Sequence, residues 1–184
     1  AKLLFCQEGT IWNGTNWSNG FPNTDQAAVF NANNTLLNDT KACSCVVNSG
    51  VTVTVATTAT LELALNYSGT GKLVFESNSS LYQTDDSVIN TGIIQIKRKS
   101  TPVRKTDYTY WSSPVAGQQL KLLSPNSPSA TFYSFNSQSN NWYNEPTSTK
   151  MTLGKGYIFQ APTTFSEMTP SIFEAVFSGR PNNG

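Results

Sequence analysis

Val47-Asn48-Ser49-Gly50-Val51-Thr52-Val53-Thr54-Val55 sets a pattern that returns twice, as Gly69-Thr70-Gly71-Lys72-Leu73-Val74-Phe75 and as Asn90-Thr91-Gly92-Ile93-Ile94-Gln95-Ile96. Gly50, Gly71 and Gly92 stand 21 residues apart, each just ahead of a short run of β-formers. The sequence therefore predicts a left-handed or otherwise tight turn at each Gly, with a strand leaving it. A fixed period of this length signals stacked coils, because one coil cannot bury its own apolar face or pair its own backbone. The expected fold is all-β: short right-handed β-solenoid-like coils over residues 42–106. The second strand of each unit drifts by a residue (Leu61, Leu63 and Leu65 against Leu81), so a run of hairpins with Gly turns is the competing reading.

Composition agrees with an all-β chain that does no acid-base chemistry. Ser, Thr and Asn number 63 of 184 residues, while charged residues are 12% and the net charge is +1. No global field favours nucleic acid or an acidic membrane. Lys97, Arg98, Lys99, Arg104 and Lys105 cluster, but alternation along a strand splits them between two faces, and charge of this kind guards a sheet edge. No segment has the roughly 18–20 apolar residues that span a bilayer. Ala1-Lys2-Leu3-Leu4-Phe5-Cys6 is too short for a whole signal peptide, so an exported chain would have lost its signal already. Gly117–Leu123, stopped by Ser124-Pro125, is the one weak helix candidate.

Cys43 and Cys45 share a strand face and are poorly placed to bridge each other. Cys6 could reach either, pinning the N-terminal segment to a coil in an oxidising compartment. The other reading is three reduced, buried thiols.

Residues 1–41 read as a cap. Trp12-Asn13-Gly14-Thr15-Asn16-Trp17 is turn-rich, and terminal coils need cover. From 107 to 184 the 21-residue beat stops. Thr131–Phe135 and Tyr157–Ala161 alternate like antiparallel strands, Asn136–Asn141 suits a hairpin loop, and Gly154-Lys155-Gly156 reads as a further hairpin signal. A small antiparallel β-sandwich-like module is expected there.

Several blocks together resemble a known kind of module. Thr10-Ile11-Trp12-Asn13-Gly14 with Trp17-Ser18-Asn19-Gly20, Asp107-Tyr108-Thr109-Tyr110-Trp111-Ser112-Ser113-Pro114-Val115, Tyr133-Ser134-Phe135-Asn136, Gly154-Lys155-Gly156-Tyr157-Ile158 and Pro181-Asn182-Asn183-Gly184 are similar to segments of the adhesin-like and gliding-associated surface proteins that Bacteroidota export by type IX secretion. The resemblance implies an extracellular or cell-surface location, partners among other domains of one long polypeptide, and a structural or adhesive role. It also implies O-glycosylation at Ser87, within Asp86-Ser87-Val88.

The absence of His removes the usual general base and most transition-metal sites. Asp85-Asp86 is the only adjacent acidic pair, and neighbouring carboxylates on extended chain diverge. Hard oxygen ligands for Ca²⁺ surround that pair, yet the spacing fits no Ca²⁺ loop, so no cofactor is expected. A non-enzymatic module follows. A second function, binding of surface glycans or other polysaccharide, would use Trp12, Trp17, Trp142 and Tyr143 as stacking rings in turn-rich surroundings, with no nucleic acid and no membrane insertion.

Overall fold

The computed structural model describes residues 5–183, so Ala1–Leu4 and Gly184, which the sequence reading touched, lie outside the description. Strand makes up 45% of the chain and helix 2%. There are two compact units, one running to Ile96 and including 180–183, the other spanning Lys97–Gly179.

The first unit is a β-solenoid of about four turns. Its strands are β1 (Gln7–Trp12), β2 (Gln26–Phe30), β3 (Asn34–Leu36), β4 (Thr40–Ala42), β5 (Ser44–Val47), β6 (Thr52–Val55), β7 (Thr60–Leu63), β8 (Tyr67–Gly69), β9 (Lys72–Phe75), β10 (Ser80–Gln83) and the start of β11 (Ile94–Val103). They form three parallel sheets, ordered β1-β2-β5-β8, β4-β7-β10 and β3-β6-β9-β11. Parallel neighbours need a crossover, which here is supplied by the other two strands of the same turn.

Alternation puts every second side chain inside, where the registers stack them in columns. Leu36, Val55, Phe75 and Ile96 form one column and Val53, Leu73 and Ile94 another, all at most 5% exposed. Size compensates along each column: Ala28 lies level with Cys45 and then Tyr67, while Phe30 lies level with Val47 and then Gly69. A large ring in one coil is thus matched by a small or absent side chain in another, which keeps interior density uniform.

The coils start earlier than residue 42. β2, β3 and β4 already complete a turn, so residues 1–41 hold a full coil besides the Trp segment. This first coil is shorter and its corner is made by Asn31, Ala32 and Asn33 in place of Gly, which hides it from a search on Gly spacing.

The corner glycines also work differently from the expectation. Gly50 has φ +78°, but Gly71 and Gly92 are not left-handed. Gly71 and Gly92 are level by the β9–β11 register, whereas Gly71 is level with Val51, one place from Gly50, by the β6–β9 register. What holds Gly71 and Gly92 as glycine is crowding. A Cβ on Gly71 would sit 2.3 Å from the Asn48 carbonyl oxygen, and one on Gly92 would sit 2.3 Å from the Tyr67 ring.

The repeated left-handed corner belongs instead to Thr58 (φ 71°) and Asn78 (φ 69°), which follow β6 and β9. Asn tolerates this region and a β-branched residue does not. Thr58→Asn is therefore expected to stabilise the first unit by about 0.5–1 kcal/mol. Urea unfolding followed by circular dichroism checks this, and a loss of stability would contradict the assignment.

A buried amide pair closes the last turns. Asn90 Oδ1 accepts from the Tyr67 amide N–H at 2.8 Å, Asn90 Nδ2 donates to Gln83 Oε1 at 2.7 Å, and Gln83 Nε2 donates to the Leu65 carbonyl at 2.9 Å. Asn183 Nδ2 donates to the carbonyls of Asp85 and Val88, which ties residues 180–183 into this unit.

In the second unit β12 (Tyr108–Trp111), β13 (Phe132–Asn136), β14 (Asn141–Asn144) and β15 (Tyr157–Gln160) form an antiparallel sheet ordered β12-β15-β13-β14. The β13–β14 hairpin turns through Ser137–Asn140, as the sequence predicts. Gly154-Lys155-Gly156 makes a turn but not a hairpin, since β15 pairs with β12 and β13 rather than β14. One sheet face is covered by β16 (Ser171–Gly179) in sandwich fashion: Trp111 meets Phe173 and Phe177, and Phe159 meets Phe173 edge-on at 6.0 Å. Helix α1 (Leu120–Leu123) is a single turn at the place the sequence marked.

The boundary between units falls after Ile96 and not at 106–107. The cause is β11, a single ten-residue strand whose first three residues pair with β9 and whose remainder belongs to the second unit. The basic run on it is no bare edge, because β16 neighbours β11 and Glu174 lies 3.8 Å from Lys99. Lys105 likewise pairs with Glu167 at 2.9 Å.

Candidate functional site

The strand registers of the second unit gather aromatic rings on the sheet face opposite Trp111 and Phe159. Tyr110 is level with Ile158, Ile158 with Tyr133, Tyr133 with Asn144, and Phe135 with Trp142, while Tyr108 is level with Gln160. Alternation sends Phe132, Ser134, Tyr157 and Phe159 the other way, all of them buried. The result is an aromatic surface open to solvent, with Tyr110 71% exposed, Trp142 48% and Phe135 43%.

The rings touch one another across strands. Centroids are 6.3 Å apart for Tyr110–Trp142, 6.4 Å for Tyr108–Tyr133 and 5.2 Å for Phe135–Trp142, all tilted or edge-on. Tyr108, Tyr133, Trp142 and Ile158 surround a shallow depression of about 340 Å³. Burial, then the neighbouring Tyr133, raises the Tyr108 phenol above its usual range, so it stays a neutral hydrogen-bond donor. None of the eight residues on this face carries charge.

Glu145 belongs to the other side, with Ser134. Glu145 accepts from Ser134 Oγ at 2.6 Å, Lys155 Nζ at 3.1 Å and Thr149 Oγ1 at 3.2 Å. Burial opposes its charge, but these bonds and Lys155 hold the carboxyl below the ordinary carboxylate range. It fastens the 145–155 segment.

Of the residues singled out as stacking rings, only Trp142 lies on this surface. Tyr143, its neighbour on β14, is level with Ser134 and points to the opposite face, where its hydroxyl meets Ser139 Oγ at 3.2 Å. Trp12 and Trp17 form a separate cluster in the first unit. Trp17 packs edge-on against buried Phe30 at 5.2 Å and Phe21 at 6.0 Å, and Trp12 lies 5.6 Å from Trp17 with its indole N–H donated to the Asn33 carbonyl. Both are half-buried, so this pair covers the interior column that begins at Phe30, as a cap does.

The remaining candidates resolve locally. Cys6 is bonded to Cys43, with Cα atoms 5.5 Å apart, and Cys45 is the free, buried thiol. Asp85 Oδ1 accepts from both the amide N–H and the hydroxyl of Ser87, at 2.9 and 2.6 Å, so the Asp85–Ser87 segment is a turn closed on itself with Ser87 exposed. Among the described residues no group of three or more His, Cys, Asp or Glu could hold a metal ion, and no helix is long and apolar enough to cross a membrane.

Cys45 carries a pH consequence. Burial pushes its thiol up to about 12, and Tyr67 beside it is raised too, by burial first and then by Cys45. Both folded values exceed the unfolded ones, so their stabilisation is complete below about pH 8.5, the free-thiol value, and drains away as pH rises towards the folded values. Unfolding free energies from urea titrations are expected to hold from pH 6 to 8, then to fall by up to about 1.4 kcal/mol per pH unit through the thiol, with Tyr67 adding to the slope only above about pH 10. Cys45→Ala should remove the thiol's share of that slope. An unchanged slope would show that the thiol is not buried in this way.

A family model described as a domain of unknown function, DUF8693, matches residues 7–184. The chain belongs to this family. The match spans both units. No curated protein and no solved structure gives a significant match.

Sequence reasoning found Trp142 but not its companions. The alternation of Tyr108 with Tyr110 and of Tyr133 with Phe135 was there to see. What places the two pairs on one face is the insertion of β15 between β12 and β13, a long-range pairing with no local signal.

Proposed function

We propose that the chain is a non-catalytic module of a secreted or cell-surface protein, adhesive in role, of the kind carried by the type IX-exported surface proteins it resembles. The observation that carries this is the uncharged aromatic face of the antiparallel sheet. Monomeric proteins rarely leave large apolar surface uncovered unless something binds there. The Cys6–Cys43 bond supports an oxidising compartment, and a surface solvated by Ser, Thr and Asn is indifferent to salt.

Adhesion of the purified protein to whole cells and to coated surfaces tests the role. Trp142→Ala is expected to weaken retention about tenfold with an unchanged urea midpoint, because the ring is half exposed. Tyr143→Ala, on the other face, should leave it alone. Equal retention by wild type and Trp142→Ala would overturn the reading.

Binding of polysaccharide is the second reading, and the same face favours it. Rings edged by phenol hydroxyls and side-chain amides offer both stacking and hydrogen bonds, as a sugar requires.

A further inference from the structure

The geometry points to an uncharged polysaccharide chain as the ligand of the aromatic sheet face, with one sugar ring seated in the depression between Tyr108, Tyr133 and Trp142. This rests on the contact-face reading and names its ligand class.

The argument is by complementarity. A phosphate- or carboxylate-rich ligand needs cations to meet it, and none of the eight residues on this face is basic, while Lys105 is paired with Glu167 and Lys155 with Glu145. A purely apolar partner would be met best by aliphatic side chains, yet Ile158 is the only aliphatic residue there, and the Tyr rings bring hydroxyls with them. A sugar ring fits both properties: its axial C–H groups lie on a flat π-face and its equatorial hydroxyls reach the ring edges. The tilted pairs Tyr110–Trp142 and Tyr108–Tyr133, separated by 6.3 and 6.4 Å, form the walls of an open trough rather than a closed pocket. An open trough accepts a ring from the interior of a chain, where a closed pocket takes only an end.

Affinity electrophoresis of the whole protein in gels containing xylan, mannan or mixed-linkage glucan, with cellulose and chitin pull-downs, tests the inference beside alginate and polygalacturonate as acidic arms. Retention by at least one neutral polymer is expected, with Trp fluorescence quenched on titration. Trp142→Ala and Tyr108→Ala should each weaken it about tenfold, Trp142→Phe should restore part, and Tyr143→Ala should change nothing. Retention by acidic polymers alone, or loss on Trp12→Ala instead, would overturn the proposal. So would a dimer in sedimentation that Trp142→Ala dissociates, since a second copy would then occupy the face. If no neutral polymer is retained while Trp142→Ala still abolishes adhesion to cells, the ligand class is wrong and the contact face stands. If adhesion is insensitive as well, both fall.

Discussion

Replacing Gly69 by Ala is expected to cost at least about 4 kcal/mol and to leave the first unit unfolded or nearly so, while Gly50→Ala costs about 1 kcal/mol. Both glycines have positive φ, +109° and +78°. They differ in what surrounds them. A Cβ on Gly50 meets nothing within 4 Å, so only backbone strain is felt. On Gly69 it would lie 2.2 Å from the Val47 carbonyl oxygen and 2.9 Å from the Val47 nitrogen. Val47 is the register partner of Gly69 in the adjacent coil, so no side-chain rotation relieves the clash. Only separating the coils would, and that breaks the ladder between β5 and β8. Urea unfolding of the two variants, read by far-UV circular dichroism, makes the comparison. Similar small losses would mean that these coils are not stacked at ladder distance.

Cys6→Ser is expected to lower stability by about 3–4 kcal/mol, the chain-entropy estimate for a bond closing a span of 37 residues. The bond ties the chain just ahead of β1 to Cys43, between β4 and β5, and so encloses the whole first coil. Without it β1 depends on its parallel pairing with β2, which carries a register irregularity between Gln7 and Thr10, and on the bonds of Thr10, Ile11 and Trp12 to Gly20, Ser18 and Asn33. Dithiothreitol should destabilise the wild type by the same amount and leave Cys6→Ser unaffected. A wild type indifferent to reductant would remove both the stabilising role and the support for an oxidising compartment.

Much of the solenoid was legible because its coils repeat in sequence. Strands β6, β9 and β11 follow the Gly spacing, and Leu61 and Leu81 are level in adjacent strands despite the drift around them. The first coil was illegible because Asn replaced Gly at its corner. The left-handed corners at Thr58 and Asn78 escaped for the same reason, since Thr is an unfavourable residue for that conformation and carries no turn signal of its own. The unit boundary escaped because β11 runs as one strand from Ile94 to Val103 while its pairing with β9 ends at Ile96, inside the strand. For the contact face, Trp142 was visible as an aromatic among turn residues, but the partnership with Tyr108 and Tyr110 depends on a strand arriving from some fifty residues away.

The most direct measurement of the central claim, that this chain binds through the aromatic sheet face, is hydroxyl-radical footprinting of the protein free and bound to the surface that retains it. Protection is predicted at Tyr108, Tyr110, Phe135 and Trp142, with Trp12, Trp17 and Phe21 unchanged. Protection confined to Trp12, Trp17 and Phe21, with the sheet face still oxidised at its free rate, would contradict it.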